Sequence, residues 1–275
     1  MADRVKRDST AWWGDTGRES NRPSLLGMVK NNTLDMRLAA LLWLLIERRA
    51  SLIFASTPDL TGRTAMLSAL IDFIPPGIRP IYVYGPEFEI ATIGMDSPPE
   101  NSYLLVPELG EDRESYLWGK SVGRLFRALN KGFAVGTTMH ADSPEQVVKA
   151  LNSAPNRVPG KLIGGVHVVV NLRTVPGGRS VARRVAQATL LIPDSSGPPG
   201  LVTLVGWEPD ADSYLHMDAP STVDALASRL EMSSEDLDAE LARLRRRLEA
   251  WHSIGTTTAN DVRKAVAQYH RSRAV

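Results

Sequence analysis

The sequence predicts an α/β fold in which a parallel sheet carries helices on both faces. Short apolar runs typical of buried strands alternate with segments whose apolar residues recur at helical spacing. Two longer apolar runs then flank a turn-forming segment at residues 175–179, which predicts a β-hairpin. Beyond Pro220 the sequence carries helical patterns. We therefore expect a parallel sheet, then β-ribbons, then a small helical C-terminal unit.

Each element has its own signal, in chain order. A helical pattern covers residues 23–47, where leucines recur at helical spacing and Asn32 and Thr33 offer a cap. Short apolar runs predict strands at residues 51–56, 79–84, 103–106 and 133–139, with helices at 64–73, 121–130 and 144–152. Ribbon strands are predicted at 166–173, 181–192, 201–207 and 214–217, and closing helices at 221–230, 234–254 and 258–271.

The chain of 275 residues has room for one large domain and a small one. Residues 1–22 are polar and predict a flexible N-terminal arm. Trp12 and Trp13 in this arm either fold back onto the protein's own surface or anchor a neighbouring chain. Residues 23–218 form the predicted α/β domain, and residues 219–275 form the helical C-terminal unit.

A basic run lies near the end of the long C-terminal helix. It is either a solvated helix face or a contact with acidic lipid or a partner. Its members are Arg243, Arg245, Arg246 and Arg247.

Composition excludes several classes of protein. Hydrophobic residues make up 43% and charged residues 23%, which is ordinary for a globular protein. The net charge of +1 does not favour nucleic acid as a partner, and the absence of cysteine excludes disulfides and thiolate metal sites. The N-terminus lacks a signal-peptide core, and the most apolar run, residues 38–46, is about half as long as a membrane span. We expect a soluble cytoplasmic protein.

Residues 51–66 have the outline of a strand, a phosphate loop and a helix. The phosphate-loop motif is G-x-x-x-x-G-K-[ST]. Gly62 and Thr64 match it, whereas Thr57 stands at the first glycine and Arg63 at the lysine. Taken alone, this half-matched motif is a working nucleotide site, a degenerate one or a coincidence. The candidate nucleotide-binding residues are Thr57, Pro58, Asp59, Leu60, Thr61, Gly62, Arg63, Thr64 and Ala65.

Such a loop works because its backbone N–H groups surround an anion next to a helix N-terminus. Gly62 permits a close approach of the backbone, and the Thr64 hydroxyl is the candidate ligand for Mg²⁺. Arg63 keeps the positive charge of the motif's lysine, but its guanidinium is planar and larger. Thr57 adds a Cβ where a tight turn is expected.

From Pro23 onward the chain resembles the type II/IV secretion ATPases, the hexameric motors of secretion systems, pili and the archaeal flagellum. Residues 126–143, which contain Thr138-Met139-His140-Ala141, are similar to the family's His box. Residues 103–108 lie where the family's Walker B strand ends in an acid, here Glu108. Residues 38–54 look like the family's lead-in helix and first core strand.

The resemblance implies a RecA-like P-loop NTPase core that uses ATP and Mg²⁺. In such a site Glu108 would activate water, and His140 would sense phosphate or contact the neighbouring subunit. Without the resemblance, an isolated histidine such as His140 is more simply a structural residue. The resemblance further implies a homo- or hetero-oligomeric ring, a hexamer in this family, that docks on a membrane-embedded secretion or pilus platform. Nucleic acid is not an expected partner, and the expected location is the cytoplasm, at the inner face of the membrane.

The chain also departs from the family pattern. Val83 and Tyr84 stand where the family carries its acidic pair, and Pro107 replaces the glycine before Glu108. The family's large N-terminal domain has no counterpart in residues 1–22. The leading hypothesis is a structural or regulatory ring subunit with weak or no ATP hydrolysis. An active secretion or pilus motor is the alternative, and a binding module that uses no nucleotide is the third.

Overall fold

The computed structural model describes residues 22–57, 61–83, 85, 97–177 and 180–273. Some of the predictions concern residues outside these ranges. They are the arm with Trp12 and Trp13, the loop residues Pro58, Asp59 and Leu60, and Tyr84.

Within the described residues, eight strands form a single sheet. Five of them are parallel, in the spatial order β2-β3-β4-β1-β5, and three antiparallel strands extend this sheet in the order β6-β7-β8. The antiparallel β5–β6 pair is the predicted hairpin, which is confirmed. The strands are β1 (Leu52–Ala55), β2 (Arg79–Tyr82), β3 (Ser102–Leu109), β4 (Ala134–Met139), β5 (Val168–Gly177), β6 (Ser180–Ile192), β7 (Gly200–Glu208) and β8 (Ser213–His216).

The helices agree with the predicted ones, apart from one correction and a short helix at Gly160–Ile163 that was not predicted. The expected segment 23–47 is two helices, because the chain turns at residues 31–35 and Asn32 adopts a left-handed φ of 54°. Asp35, rather than Asn32 or Thr33, caps the second helix, and its carboxylate accepts the N–H of Leu38 at 2.7 Å. The helices are α1 (Leu25–Lys30), α2 (Met36–Glu47), α3 (Arg63–Ile71), α4 (Lys120–Leu129), α5 (Pro144–Asn152), α6 (Gly160–Ile163), α7 (Pro220–Arg229), α8 (Ser234–Ser253) and α9 (Ala259–Arg273). Among these helices of the described chain, none combines the length and apolarity that crossing a bilayer requires.

The strand order places β1 inside the sheet, between β4 and β5. From β1 the chain crosses to β2 at the far edge, returns through β3 and β4, and then crosses β1 to reach β5. Because right-handed crossovers in opposite directions lie on opposite faces, α3 covers one face, and α4, α5 and α6 cover the other. The predicted RecA-like α/β core is therefore confirmed.

The side chains of β1 show the two faces directly. Leu52 and Phe54 belong to the apolar cluster that contains α1, α2 and α3. Ile53 and Ala55 belong to the cluster that contains α4, α5 and α6. Such alternation buries both faces of a strand and explains why residues 52–55 are continuously apolar.

A neutral histidine fixes the register at the amino end of the sheet. The Ser51 N–H donates to His167 Nδ1 at 3.1 Å, and the His167 N–H donates to the Ser51 carbonyl at 2.8 Å. The Ser51 hydroxyl accepts the N–H of Val135 at 3.1 Å. Burial lowers the pKa of His167 to about 3, and the nearby Arg229 guanidinium acts in the same direction. The neutral His167 and the Ser51 hydroxyl together therefore hold β1, β4 and β5 where each begins.

The C-terminal helices pack into the same apolar cluster as α2 and α3. The Trp43 ring of α2 lies 5.4 Å from the Trp251 ring of α8 and 4.9 Å from the Tyr269 ring of α9. Phe73, which follows α3, completes the aromatic cluster at 5.1 Å from Trp43. Such pairs stabilise through burial and ring geometry together. A boundary at residue 219 between separate units stays a prediction.

We predict that Trp251→Ala destabilises the α/β core together with the C-terminal helices. Removing this 9% exposed indole from the aromatic cluster should cost about 3–5 kcal/mol of unfolding free energy. Urea unfolding followed by fluorescence and by circular dichroism should give a single shifted transition. Ile254→Ala, at a side chain that is 79% exposed, is the control and should change stability by less than about 0.5 kcal/mol. Two separate transitions would instead show that the C-terminal unit folds independently.

We also predict that His167 limits stability in acid. Its folded pKa of about 3 lies below the ordinary 6.5, so the unfolded chain binds the proton first. The stabilising contribution is complete above pH 6.5 and is lost as the pH falls towards 3, by roughly 2–3 kcal/mol at pH 4.5. His167→Gln, which retains an acceptor for Ser51, should flatten this slope in urea titrations between pH 7 and 4.5. The same substitution at His252 on α8 controls for the loss of a histidine as such, and an equal slope in wild type and His167→Gln would refute the prediction.

Candidate nucleotide-binding site

The candidate site lies at the carboxyl ends of three neighbouring strands. Glu108 is on β3, His140 directly follows β4, and Ser56 directly follows β1. β4 stands between β3 and β1, so these chain positions lie side by side along one edge of the sheet. In open α/β sheets, ligands bind at this edge, where the crossovers leave in opposite directions.

Arg63, the first residue of α3, turns inward and is 7% exposed. Its Nη1 donates to the Ser56 carbonyl at 2.5 Å and to the Met139 carbonyl at 3.3 Å. Its Nη2 lies 2.7 Å from His140 Nε2 and 3.3 Å from Glu108 Oε1. The guanidinium thus connects the ends of β1, β3 and β4 from inside the protein.

Glu108 is a buried carboxylate, 4% exposed. Burial raises the pKa of Glu108 above its ordinary value, whereas Arg63, His140 and the Thr138 hydroxyl oppose that rise. Thr138 Oγ1 lies within hydrogen-bond distance of the Pro107 carbonyl, at 2.7 Å, and of Glu108 Oε2, at 3.3 Å. Oε1 has cationic groups close by but no contact with hydrogen-bond geometry within the described residues. The carboxylate is therefore held mainly by charge.

His140 stands between these two groups. Its Nε2 lies 2.7 Å from Arg63 Nη2 and 3.0 Å from Glu108 Oε1. Arg63 offers only N–H donors, whereas Glu108 Oε1 offers only an acceptor, so the two contacts of Nε2 call for opposite roles of this nitrogen. Arg63, Glu108 and His140 therefore form one closely packed polar cluster.

The end of the loop depends on a glycine. Gly62 has a φ of 96° and precedes α3, which has no side-chain cap at its N-terminus. A Cβ at this position would lie 3.1 Å from Arg183 Cδ, so Arg183 of β6 packs directly over the glycine. Thr61 is buried, and its hydroxyl is hydrogen-bonded to the Ser56 hydroxyl.

Sequence reasoning missed Arg183. The available signal was a pair of adjacent arginines inside a largely apolar ribbon strand. The second of the pair, Arg184, makes a bidentate ion pair with Asp212 on the far ribbon. Arg183 instead reaches the candidate site.

The structure brings together part of the predicted set. Thr61, Gly62 and Arg63 lie beside Glu108 and His140 at this edge. Thr64 and Ala65 occupy the first turn of α3 and are partly exposed, and Thr57 is exposed at the start of the loop. Pro58, Asp59 and Leu60 lie outside the described residues.

The donor set for Mg²⁺ is poor. Mg²⁺ in nucleotide sites is usually bound by one or two carboxylates together with phosphate oxygens and water. Val83, at the position of the family's acidic pair, is 2% exposed in the apolar core, and its N–H donates to the Leu105 carbonyl. Among the described residues, no group of three or more histidine and acidic side chains is placed to hold a metal ion. Thr64 offers one hydroxyl, and Glu108 is already held by Arg63.

Two archaeal proteins are similar to this chain in sequence, and no protein-family model matches it. The uncharacterized protein MJ1287 of Methanocaldococcus jannaschii is 24% identical over 242 residues, which cover 78% of this chain and 86% of that protein. The uncharacterized protein MJ0900 of the same organism is 24% identical over 220 residues, which cover 70% of this chain but 38% of that protein.

Solved ATPase structures are also similar. The VirB11 ATPase of the Brucella suis type IV secretion system shares 19% identity at a TM-score of 0.43, covering 60% of this chain and 56% of that one. The Legionella pneumophila ATPase DotB shares 13% identity at a TM-score of 0.34, covering 73% and 53%. At these scores the likeness carries no argument about activity, and the chain spans little more than half of either ATPase.

Proposed function

We propose that this protein is a divergent relative of the secretion and pilus ATPases with a degenerate nucleotide site. It would act as a structural or regulatory subunit of a ring, made with itself or with a paralogue, and hydrolyse ATP weakly or not at all. The observation that carries the proposal is the inward position of Arg63, whose guanidinium is bound to Glu108, to His140 and to two backbone carbonyls.

Arg63 is poorly placed to serve a phosphate. A phosphate loop needs its cation to reach the β- and γ-phosphates above the loop. To do so, Arg63 would have to leave the carbonyls of Ser56 and Met139, at a cost of about 1 kcal/mol for each hydrogen bond. It would also leave Glu108 buried without its cation, and breaking a buried pair costs roughly 3–5 kcal/mol. Nucleotide binding would have to offset both costs.

Glu108 is poorly placed to activate water. A general base must be ionised and free to accept a proton from the attacking water. Burial favours the neutral form of Glu108, and the groups that oppose this are Arg63, His140 and the Thr138 hydroxyl. If Arg63 moved to a phosphate, the remaining carboxyl would bind a proton more readily. The same movement that supplies the phosphate-binding cation would thus weaken the base.

An active motor is the second candidate. One arrangement favours it, because the loop end, Glu108 and His140 share a single edge of a RecA-like sheet. Arg183 adds a second cation over Gly62, beside the uncapped N-terminus of α3. Helix N-termini of this kind bind phosphate. In this reading ATP and Mg²⁺ would draw Arg63 out of its buried contacts, and a membrane-embedded secretion or pilus platform at the inner face of the membrane would be the partner.

We predict that the wild-type protein binds ATP with a Kd no tighter than about 1 mM and shows no turnover above background. Calorimetry with Mg²⁺ and a phosphate-release assay would measure both for wild type, Arg63→Lys and Arg63→Ala. Arg63→Lys should bind ATP more tightly than wild type, because a compact ammonium cannot hold Glu108 and both carbonyls at once. Arg127→Ala, at an exposed arginine of α4, is the matched control and should behave as wild type.

The outcomes separate the three readings. Submillimolar ATP binding by the wild type, with turnover that disappears in Arg63→Ala, would establish the active motor. A protein that binds no nucleotide in any form, Arg63→Lys included, would be a binding module of another kind.

We further predict that Arg63 and Glu108 are coupled in stability. Arg63→Met and Glu108→Gln should each destabilise the protein, whereas the double variant should lose less than the sum of the two. A double-mutant cycle from urea unfolding should give a coupling free energy of about 1–3 kcal/mol. The exposed pair Arg245 and Glu249 on α8, whose side chains meet at 2.7 Å, supplies a control cycle below about 0.5 kcal/mol. Additive effects at Arg63 and Glu108 would contradict the structural role assigned to their contact.

A further inference from the structure

An open, basic pocket lies between α8 and α9, on elements other than those of the phosphate loop. Its volume is about 460 Å³. Four of its seven lining residues are arginines, and none is acidic. The lining residues are Arg243, Arg246, Arg247, Ala250, Tyr269, Ser272 and Arg273.

Helix geometry builds this arginine pocket. Positions 243, 246, 247 and 250 are three or four residues apart and therefore share one face of α8. Tyr269 forms the centre of the pocket, because the guanidinium carbons of Arg243, Arg247 and Arg273 lie 5.5, 5.9 and 5.7 Å from its ring centroid. Both Arg243 and Arg273 also donate to the Tyr269 hydroxyl, Arg273 at 3.0 Å. Three arginine guanidinium groups thus make cation–π contacts with one tyrosine ring.

The acids around the pocket compensate only part of this charge. Arg243 pairs with Glu240, and Oε2 of the half-buried Glu47 lies 3.8 Å from both Arg243 and Arg273. In the part of the chain that the structure describes, Arg246 and Arg247 are exposed and form no ion pair. Their neighbour Arg245 does have one, with Glu249. The pocket therefore holds an excess of positive charge, which an anion would lower.

We propose that the arginine pocket binds a small organic phosphate. Guanidinium groups match phosphate oxygens with paired, charge-assisted hydrogen bonds, and several of them converge here from two helices. Arg246 and Arg247 supply the charge that no acid neutralises. Arg273 approaches from the other side, anchored on Tyr269. The pocket is larger than a lone phosphate needs, which leaves room for the organic part of the molecule.

The test measures binding of inorganic pyrophosphate, and then of AMP, by calorimetry at low salt. All variants are made in the otherwise wild-type protein, and the phosphate loop contributes equally to each of them, because the substituted arginines lie on α8. The expected result is submillimolar binding that weakens at least tenfold in Arg246→Ala/Arg247→Ala. Arg245→Ala removes one positive charge from the neighbouring position, but this arginine does not line the pocket, so affinity should stay within about twofold. Both side chains of the double variant are exposed, and circular dichroism would verify that it remains folded.

Three results would overturn the proposal. The first is the absence of pyrophosphate and AMP binding at millimolar concentration. The second is an equal loss in Arg245→Ala, which would indicate diffuse attraction to a basic helix. The third is flotation with phosphatidic acid vesicles that depends on Arg246 and Arg247 while neither soluble anion binds, which would make the surface a lipid contact. Because the compared variants share an unchanged phosphate loop, none of these results depends on whether that loop binds nucleotide.

Discussion

The buried contact between Arg63 and Glu108 is the constraint on which the candidate site depends. A carboxylate at 4% exposure needs a cation, and a guanidinium at 7% exposure needs acceptors. Each group supplies what the other lacks, and the carbonyls of Ser56 and Met139 accept from Nη1 of Arg63. The contact therefore ties the ends of three strands together, and His140 Nε2 lies 2.7 Å from Arg63 Nη2 and 3.0 Å from Glu108 Oε1. Stability requires Arg63 to stay beside Glu108, whereas phosphate binding would require it to leave.

The two ends of the parallel sheet are fastened by different means. At the amino end, the neutral His167 exchanges hydrogen bonds with Ser51, and no charge is buried between them. At the carboxyl end, the fastening is ionic and lies where crossovers in opposite directions open a crevice. A neutral hydrogen-bonded end tolerates burial at little cost, whereas an ionic end stays sensitive to any ligand that brings its own charge. The carboxyl end is thus the only one of the two that an anionic ligand could reorganise.

Much of the fold followed from periodicity, because buried strands and amphipathic helices leave strong patterns. The strand at β1 and the helix α5 agree with prediction to within a residue. The break before α2 was missed, since its cap Asp35 lies inside a run that reads as continuously helical. The inward orientation of the Arg63 side chain could not be predicted. Motif spacing gives the position of a residue in the chain but not the acceptors that its side chain binds. Arg183 reaches the site through a long-range sheet pairing that spacing does not encode.

The departures at the site are physically coupled. A bound metal–phosphate complex could compensate a buried acid such as Glu108, but Val83 packs in the apolar core and offers no carboxylate to hold the metal. Glu108 then needs a permanent cation. Arginine fits that need better than lysine, because its fork reaches Glu108 and two carbonyls at once and remains charged at any physiological pH. Each of the two departures, Arg63 at the motif's lysine and Val83 at the acidic pair, therefore lowers the free-energy cost of the other. Restoring one of them alone would leave either a buried acid without a cation or a metal ligand without a phosphate-binding partner.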